Sequence, residues 1–189
     1  MFYNQQLIDA LSHEIHVFDQ EMILDPSFQK MVTDIYYADR NKNNKGEYIR
    51  SLEKVTENTL QGKMCELACY ELCGIEYVWN KFNKKDRDSY AVDLSAFGLN
   101  LEIKSVNPKY KEFYIPLNAH KTLKNNILHK KITTVVVCDY EQESHDWGIR
   151  PRWIINPKTF DDYIKESKYS LAYDIQKSKR AGDTIELDY

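Results

Sequence analysis

Glycine is scarce in this chain: 6 of 189 residues, too scattered to form a Gly-rich loop that cradles phosphates. No apolar run approaches the roughly 20 residues that span a bilayer. The start, Met1-Phe2-Tyr3-Asn4-Gln5-Gln6, lacks the basic and apolar regions of a secretion signal, so an intracellular, cytoplasmic protein without a membrane partner is expected. Cysteine is limited to four residues, none in a CxxC pair. Cys65, Cys69 and Cys73 are spaced four apart on one helical face, and Cys138 lies in the most apolar run. Packing as small buried residues is the expected role, with a metal site the alternative and no disulfides in a reducing compartment. His13-Glu14-Ile15-His16 is not the HExxH zinc pattern, because the histidines are three apart; it reads as one turn of an amphipathic helix. The stretch from Asp39 begins like a calcium loop, but Asn44 stands where glycine is needed and Arg50 where a bidentate glutamate is needed. Internal repeats and low-complexity tracts are also missing.

What is present is an ordinary apolar fraction, 42%, in a length suited to one domain with an appended part. The 14 tyrosines are expected to pack half-buried with the hydroxyl wet. The net charge is −3, but it is unevenly spread. Residues 1–77 hold 7 basic and 13 acidic side chains, residues 78–131 hold 11 and 5, and residues 132–189 hold 8 and 11. The middle segment is therefore net +6 and its flanks net −6 and −3. A basic segment of this size suits a polyanion. Its candidate contacts are Lys81, Lys84, Lys85, Arg87, Lys109, Lys111, Lys121 and Lys124, although lysines also simply solvate loops and helix faces.

The same segment carries Asp93 and the run Leu99-Asn100-Leu101-Glu102-Ile103-Lys104-Ser105-Val106. Leu99, Leu101 and Ile103 alternate with Asn100, Glu102 and Lys104, the period of a strand. The run Tyr90-Ala91-Val92-Asp93-Leu94 reads as another strand, and Ser95-Ala96-Phe97-Gly98 can turn the chain between them. Such a hairpin brings Asp93 near Glu102, and sets Glu102 and Lys104 on one face. Two carboxylates beside an ammonium suit a divalent cation and phosphodiester hydrolysis.

Asp93 followed by Glu102-Ile103-Lys104 resembles the acid and the Glu-x-Lys of the PD-(D/E)xK nucleases, the restriction-endonuclease-like superfamily; Val92 stands where the family's name has proline. The surroundings agree in order. A helix runs from about Leu60 to a glycine at 74, then come strand-like Ile75–Trp79 and the two strands above. A helix-like segment at about Leu117 to His129 follows, then strands at Ile132–Cys138 and about Trp147 to Asn156. The resemblance covers about Gly46 to Asn156. It implies an α/β fold with an αβββαβ core, a central mixed sheet flanked by helices, and an N-terminal helical extension at residues 1–45 ahead of a core with C-terminal elaboration at 46–189. It further implies Mg2+, with Mn2+ as a substitute, held by Asp93, Glu102 and the carbonyl of Ile103. Lys104 would then orient or help deprotonate water. Many of these nucleases carry another acid on the first core helix, where Glu66 lies here. On a helical projection Glu66 borders the face of Cys65, Cys69, Leu72 and Cys73, whereas Glu71 points away. Its alternative is an ion pair with a lysine at the rim of the core.

The function so implied is a metal-dependent deoxyribonuclease, an endonuclease of restriction or phage type, with DNA as partner and RNA as the alternative substrate. A non-cleaving nucleic-acid-binding or regulatory protein on the same fold is the second reading. A structural domain with Asp93 and Lys104 as an ion pair is the third. Outside the core, Leu7, Ile8, Leu11, Ile15, Phe18 and Met22 fall at helix spacing, and Asp25-Pro26 looks like a cap before a second helix. These helices are expected to pack on the core or to form a homodimer. Lys177, Lys179 and Arg180 read as a basic loop, and Thr184–Tyr189 as an edge strand.

Overall fold

A computed structural model describes residues 1–42, 50–77, 92–109, 113–116, 120, 123–125, 127–128, 131–166 and 170–188. The chain is a mixed α/β protein with a strongly curled six-stranded sheet and N-terminal helices. The helices α1 (Gln5–Leu11), α2 (Gln20–Leu24), α3 (Pro26–Lys42) and α4 (Leu52–Leu72) precede most of the sheet, with β1 (Ile15–Phe18) between the first two. Then come β2 (Leu94–Ala96), β3 (Leu99–Val106), β4 (Phe113–Pro116), β5 (Thr134–Glu143) and β6 (Asp146–Ile155). A 3-10 helix (Pro157–Tyr163), β7 (Ile164–Glu166), β8 (Ser170–Tyr173), α5 (Ile175–Ala181) and β9 (Thr184–Glu186) complete the order.

The main sheet runs β1-β6-β5-β3-β2, with β9 also on β6. Only the β3–β5 pairing is parallel among the described ladders of this sheet. Parallel neighbours need a crossover; residues 123–125 and 127–128, in the connection between them, are helical. Side chains alternate across the sheet as the strand period requires. Val136, Cys138, Leu101 and Ile103 join α4 in one core cluster, while Val135, Val137, Trp153 and Ile155 join Phe160 and Tyr173 in another. The second cluster lies with a small sheet of order β4-β8-β7. A bulge at Val137/Cys138 leaves Pro151 opposite Cys138, a place in a ladder that tolerates proline.

The expected helix ending at Gly74, read as part of a helical stretch from about Gly46 to Cys73, is α4, which begins at Leu52. Ser51 caps its start, its Oγ accepting from the Lys54 N–H at 3.2 Å. Gly74, at φ +67°, ends it: its N–H reaches the Glu71 carbonyl at 2.9 Å and the Ile75 N–H reaches that of Tyr70 at 2.9 Å. The expected strands at 132–138 and 147–156 are β5 and β6, and the C-terminal edge strand is β9.

Four expectations are corrected. Ile15–Phe18 is a strand rather than helix: β1 pairs antiparallel with β6, from Ile15 opposite Ile149 to Phe18 opposite Asp146. The helical spacing of Ile15 and Phe18 yields to the backbone bonding that an edge of β6 offers, and Val17 alone in the strand is buried. Ile75–Tyr77 is not strand, and Val78–Trp79 lies outside the described residues. Lys177, Lys179 and Arg180 are not in a loop but on α5, which is capped by Asp174 and closed by Gly182 at φ +80°. Val92 and Asp93 are not strand: the strand before the turn is Leu94–Ala96, which takes in Ser95 and Ala96, and Tyr90 and Ala91 lie outside the described residues.

The N-terminal segment is part of the body of the fold, because Leu7, Leu11, Val17, Met22, Phe28 and Val32 are buried in the α4 cluster. Buried Asp19 secures it: its carboxylate accepts from Trp147 Nε1 at 2.8 Å and meets His145 Nδ1 at 2.7 Å. Cys65, Cys69 and Cys138 are buried together, with Sγ of Cys69 and Cys138 3.7 Å apart. Hydrogen bonding to Cys65 and Cys69 holds the Cys138 thiol well above its ordinary range, so it packs as a thiol. Among the described residues no helix is long and apolar enough to cross a membrane.

Candidate functional site

The site begins with the β2–β3 hairpin. Phe97 and Gly98 form its two-residue turn with φ of 52° and 75°, the left-handed pair that matches strand twist. The ladder then sets Ala96 opposite Leu99 and Leu94 opposite Leu101. One step further, Asp93 stands across from Glu102, and the Asp93 N–H donates to the Leu101 carbonyl at 3.0 Å. Asp93 Oδ2 also accepts from the Ile103 N–H at 2.7 Å, so the carboxylate takes a backbone donor on the edge of β3 just beyond β2.

Glu102 and Lys104 share a side of β3, as the alternation predicts. Glu102 is only 4% exposed, and its Oε1 lies 2.5 Å from Lys104 Nζ. The same ammonium is 3.3 Å from the Ile103 carbonyl oxygen. Glu66 reaches the cluster from α4: it is 9% exposed and bound by Lys63, whose Nζ is 2.7 and 2.5 Å from its two oxygens. Burial pushes the Glu66 carboxyl above its ordinary value of 4.5; Lys63 opposes this, and the negative charge of Asp93 adds to it. For Lys104 burial acts downward, but the charges of Glu102 and Asp93 outweigh it and hold the ammonium above its ordinary 10.5. Tyr77 is pushed well above its ordinary range by burial and by Glu66 and Asp93, so it stays a neutral phenol. Lys104 thus feels the charges of Glu66, Asp93 and Glu102, and Glu66 feels those of Asp93 and Lys104. Glu71 is exposed, on the other side of α4.

The ion-pair reading of Glu66 is the one observed: it pairs with a lysine of its own helix, and the charges of Asp93 and Lys104 are also felt at its carboxyl. The pair was legible as an i,i+3 spacing, Lys63 to Glu66. Two further residues had no comparable signal. Tyr70 donates its hydroxyl to the Asp93 carbonyl at 2.8 Å, and Gln61 donates to Ser105 Oγ at 2.7 Å, tying α4 to β3 beside Lys104.

The basic residues are less gathered. Lys109 is exposed just after β3. Lys124 is held by Asp161 at 2.5 Å, an acid that also meets His120 at 3.1 Å. Lys81, Lys84, Lys85, Arg87, Lys111 and Lys121 lie outside the described residues.

Among the described residues no group of three or more His, Cys, Asp or Glu side chains is arranged to hold a metal ion. The acids instead take ammonium and backbone N–H partners. The donors themselves are hard oxygens suited to a hard divalent cation. Glu102 Oε1 and the Ile103 carbonyl, two of the expected ligands, already converge on one positive charge, the Lys104 ammonium. Hard oxygen donors are thus present, and those of Glu102 and Ile103 contact the Lys104 ammonium.

No family model matches the chain, and neither a curated protein nor a solved structure matches it.

Proposed function

We propose that this protein is a metal-dependent nuclease that hydrolyses phosphodiester bonds of DNA, an endonuclease of restriction or phage type built on the restriction-endonuclease-like core. The observation that carries this reading is the convergence of Glu102 and the Ile103 carbonyl on a single ammonium, with Asp93 across the same strand edge and Glu66 above it. The order of α4, a hairpin, and a helical crossover to a parallel β5 supports the core assignment. Asp93, Glu102 and the Ile103 carbonyl would hold Mg2+ or Mn2+, with Glu66 accessory. When bound, such a cation would lower the pKa of a water and offset charge on the phosphate. Lys104, kept charged by its acidic neighbours, orients the attacking water and offsets charge building on the phosphate. DNA would approach over Lys109 and the basic segment around it.

The test is nicking of supercoiled plasmid with Mg2+ or Mn2+. Lys104→Ala should slow cleavage by about 10²-fold or more while leaving metal binding largely intact. Cleavage by Lys104→Ala at the wild-type rate would refute the mechanism.

One observation favours a second reading, a non-cleaving nucleic-acid-binding protein: no three acids among the described residues are arranged for a metal. Filter binding without any product under several metals would select it.

A further inference from the structure

Asp93 is held at three of its atoms. Its N–H and its Oδ2 are bound by β3, through the Leu101 carbonyl at 3.0 Å and the Ile103 N–H at 2.7 Å. Its own carbonyl is bound from the other layer, by the Tyr70 hydroxyl of α4 at 2.8 Å. Tyr70 lies four residues after Glu66, about one helical turn on, so the two share a face of α4. Its side chain is buried, and its ring meets that of Tyr77 edge-on, centroids 5.1 Å apart at 85°. A phenol has two soft torsions, and packing of this kind removes them. The hairpin does not need this bond, since the Phe97–Gly98 turn and the ladder already set its register. What the bond adds is a rigid link from the helix that carries Glu66 to the backbone that carries Asp93.

We propose that Tyr70 is a positioning residue, fixing the Asp93 carboxylate against the edge of β3 and at one spacing from Glu66. The link itself is a property of the metal-free protein; its consequence for cleavage rests on the nuclease reading above.

The phenol alone is removed by Tyr70→Phe, which keeps the ring. In metal-free protein, hydrogen exchange at the Ile103 amide should quicken by about tenfold, the equivalent of one hydrogen bond, relative to the amides of Val136 and Ile154 in the same sheet. Mn2+ affinity by calorimetry should weaken by about the same factor. The rate kcat should fall with little change in KM for DNA. Exchange that quickens equally at Ile103, Val136 and Ile154 would mean a general loss of stability and overturn the proposal. So would an unchanged Ile103 amide. A second measurement compares carbon shifts of the wild type and Tyr70→Phe: the Asp93 carbonyl carbon resonance should move on loss of the hydroxyl that donates to it. No shift there also overturns it. A wild-type protein that cleaves no DNA would sink the nuclease reading alone, because the Ile103 amide decides on Tyr70 without metal or substrate.

Discussion

Two clusters of charge sit on neighbouring strands, and they are built from different cations. On β5, Asp139 is buried and held by guanidinium groups: Arg150 Nε at 3.0 Å and Arg152 at 3.8 Å. Arg150 also reaches Glu141 at 2.9 Å, and Arg152 lies over the Trp153 ring, 4.2 Å from its centroid. Here two acids meet two planar forks that are fixed on more than one side. On β3 and α4, Glu102, Glu66 and Asp93 are neighbours of two ammoniums, Lys104 and Lys63. An ammonium is a compact charge on a flexible stem, whereas a guanidinium is a rigid planar fork. The two clusters therefore differ in how firmly the cation is fixed, and under the proposed function only the Lys cluster would take a metal ion. Proximity on one sheet does not separate the two; the kind of cation and the excess of acid do.

The largest effect expected from this contrast is on cleavage. Glu102→Gln should abolish Mn2+ binding in calorimetry and slow plasmid nicking on the order of 10²-fold or more. Asp139→Asn should leave nicking unchanged and instead cost roughly 1–3 kcal/mol in denaturant unfolding, reduced from a fully buried pair because its arginines are partly exposed. If Asp139→Asn silenced cleavage with no loss of stability, the division between the two clusters would be wrong.

A smaller effect tests how the hairpin brings the acids together. Gly98→Ala puts a Cβ on a residue at φ +75°. A loss of about 1 kcal/mol is expected from denaturant midpoints, since space is open there and only the backbone conformation resists. Unchanged stability would show that the turn does not hold the Asp93–Glu102 register.

The smallest concerns a third, exposed pair. The hydrogen bond to Asp146, at 2.9 Å, and then its charge raise His16 above its ordinary 6.5. A group whose folded pKa is raised stabilises fully below its unfolded pKa and loses that contribution as pH rises through the folded value. The thermal midpoint of the wild type relative to Asp146→Asn should therefore narrow slightly between about pH 6 and about pH 8, because both are losing a charged His16 but only the wild type has its partner. A difference that widens over this range would contradict the assigned sign.

Much of the Lys cluster was legible because it is local. Strand alternation places Glu102 and Lys104 together, and a glycine-containing turn folds Asp93 back towards them, both within a dozen residues. Glu66 was legible only as a boundary residue, since helical angle tells which face it shares but not what lies opposite. Tyr70 and Gln61 were not legible, because their partners, Asp93 and Ser105, are brought to them only by the docking of α4 on β3. The N-terminal region shows the converse error. Ile15 and Phe18 have helical spacing, yet the exposed edge of β6, more than a hundred residues away, recruits them as a strand.

By itself, then, the sequence determined the short-range elements: the β2–β3 hairpin, the capped α4, and the side of β3 on which Glu102 and Lys104 stand. These follow from side-chain period, turn conformation and capping, which act over a few residues. Tertiary structure decided which layer supplies each distant partner: Tyr70 on Asp93, β1 on β6, and the guanidinium forks around Asp139. Those depend on which buried faces and strand edges meet. That meeting is chosen by the packing of the whole core, in which backbone pairing and burial outweigh local preference.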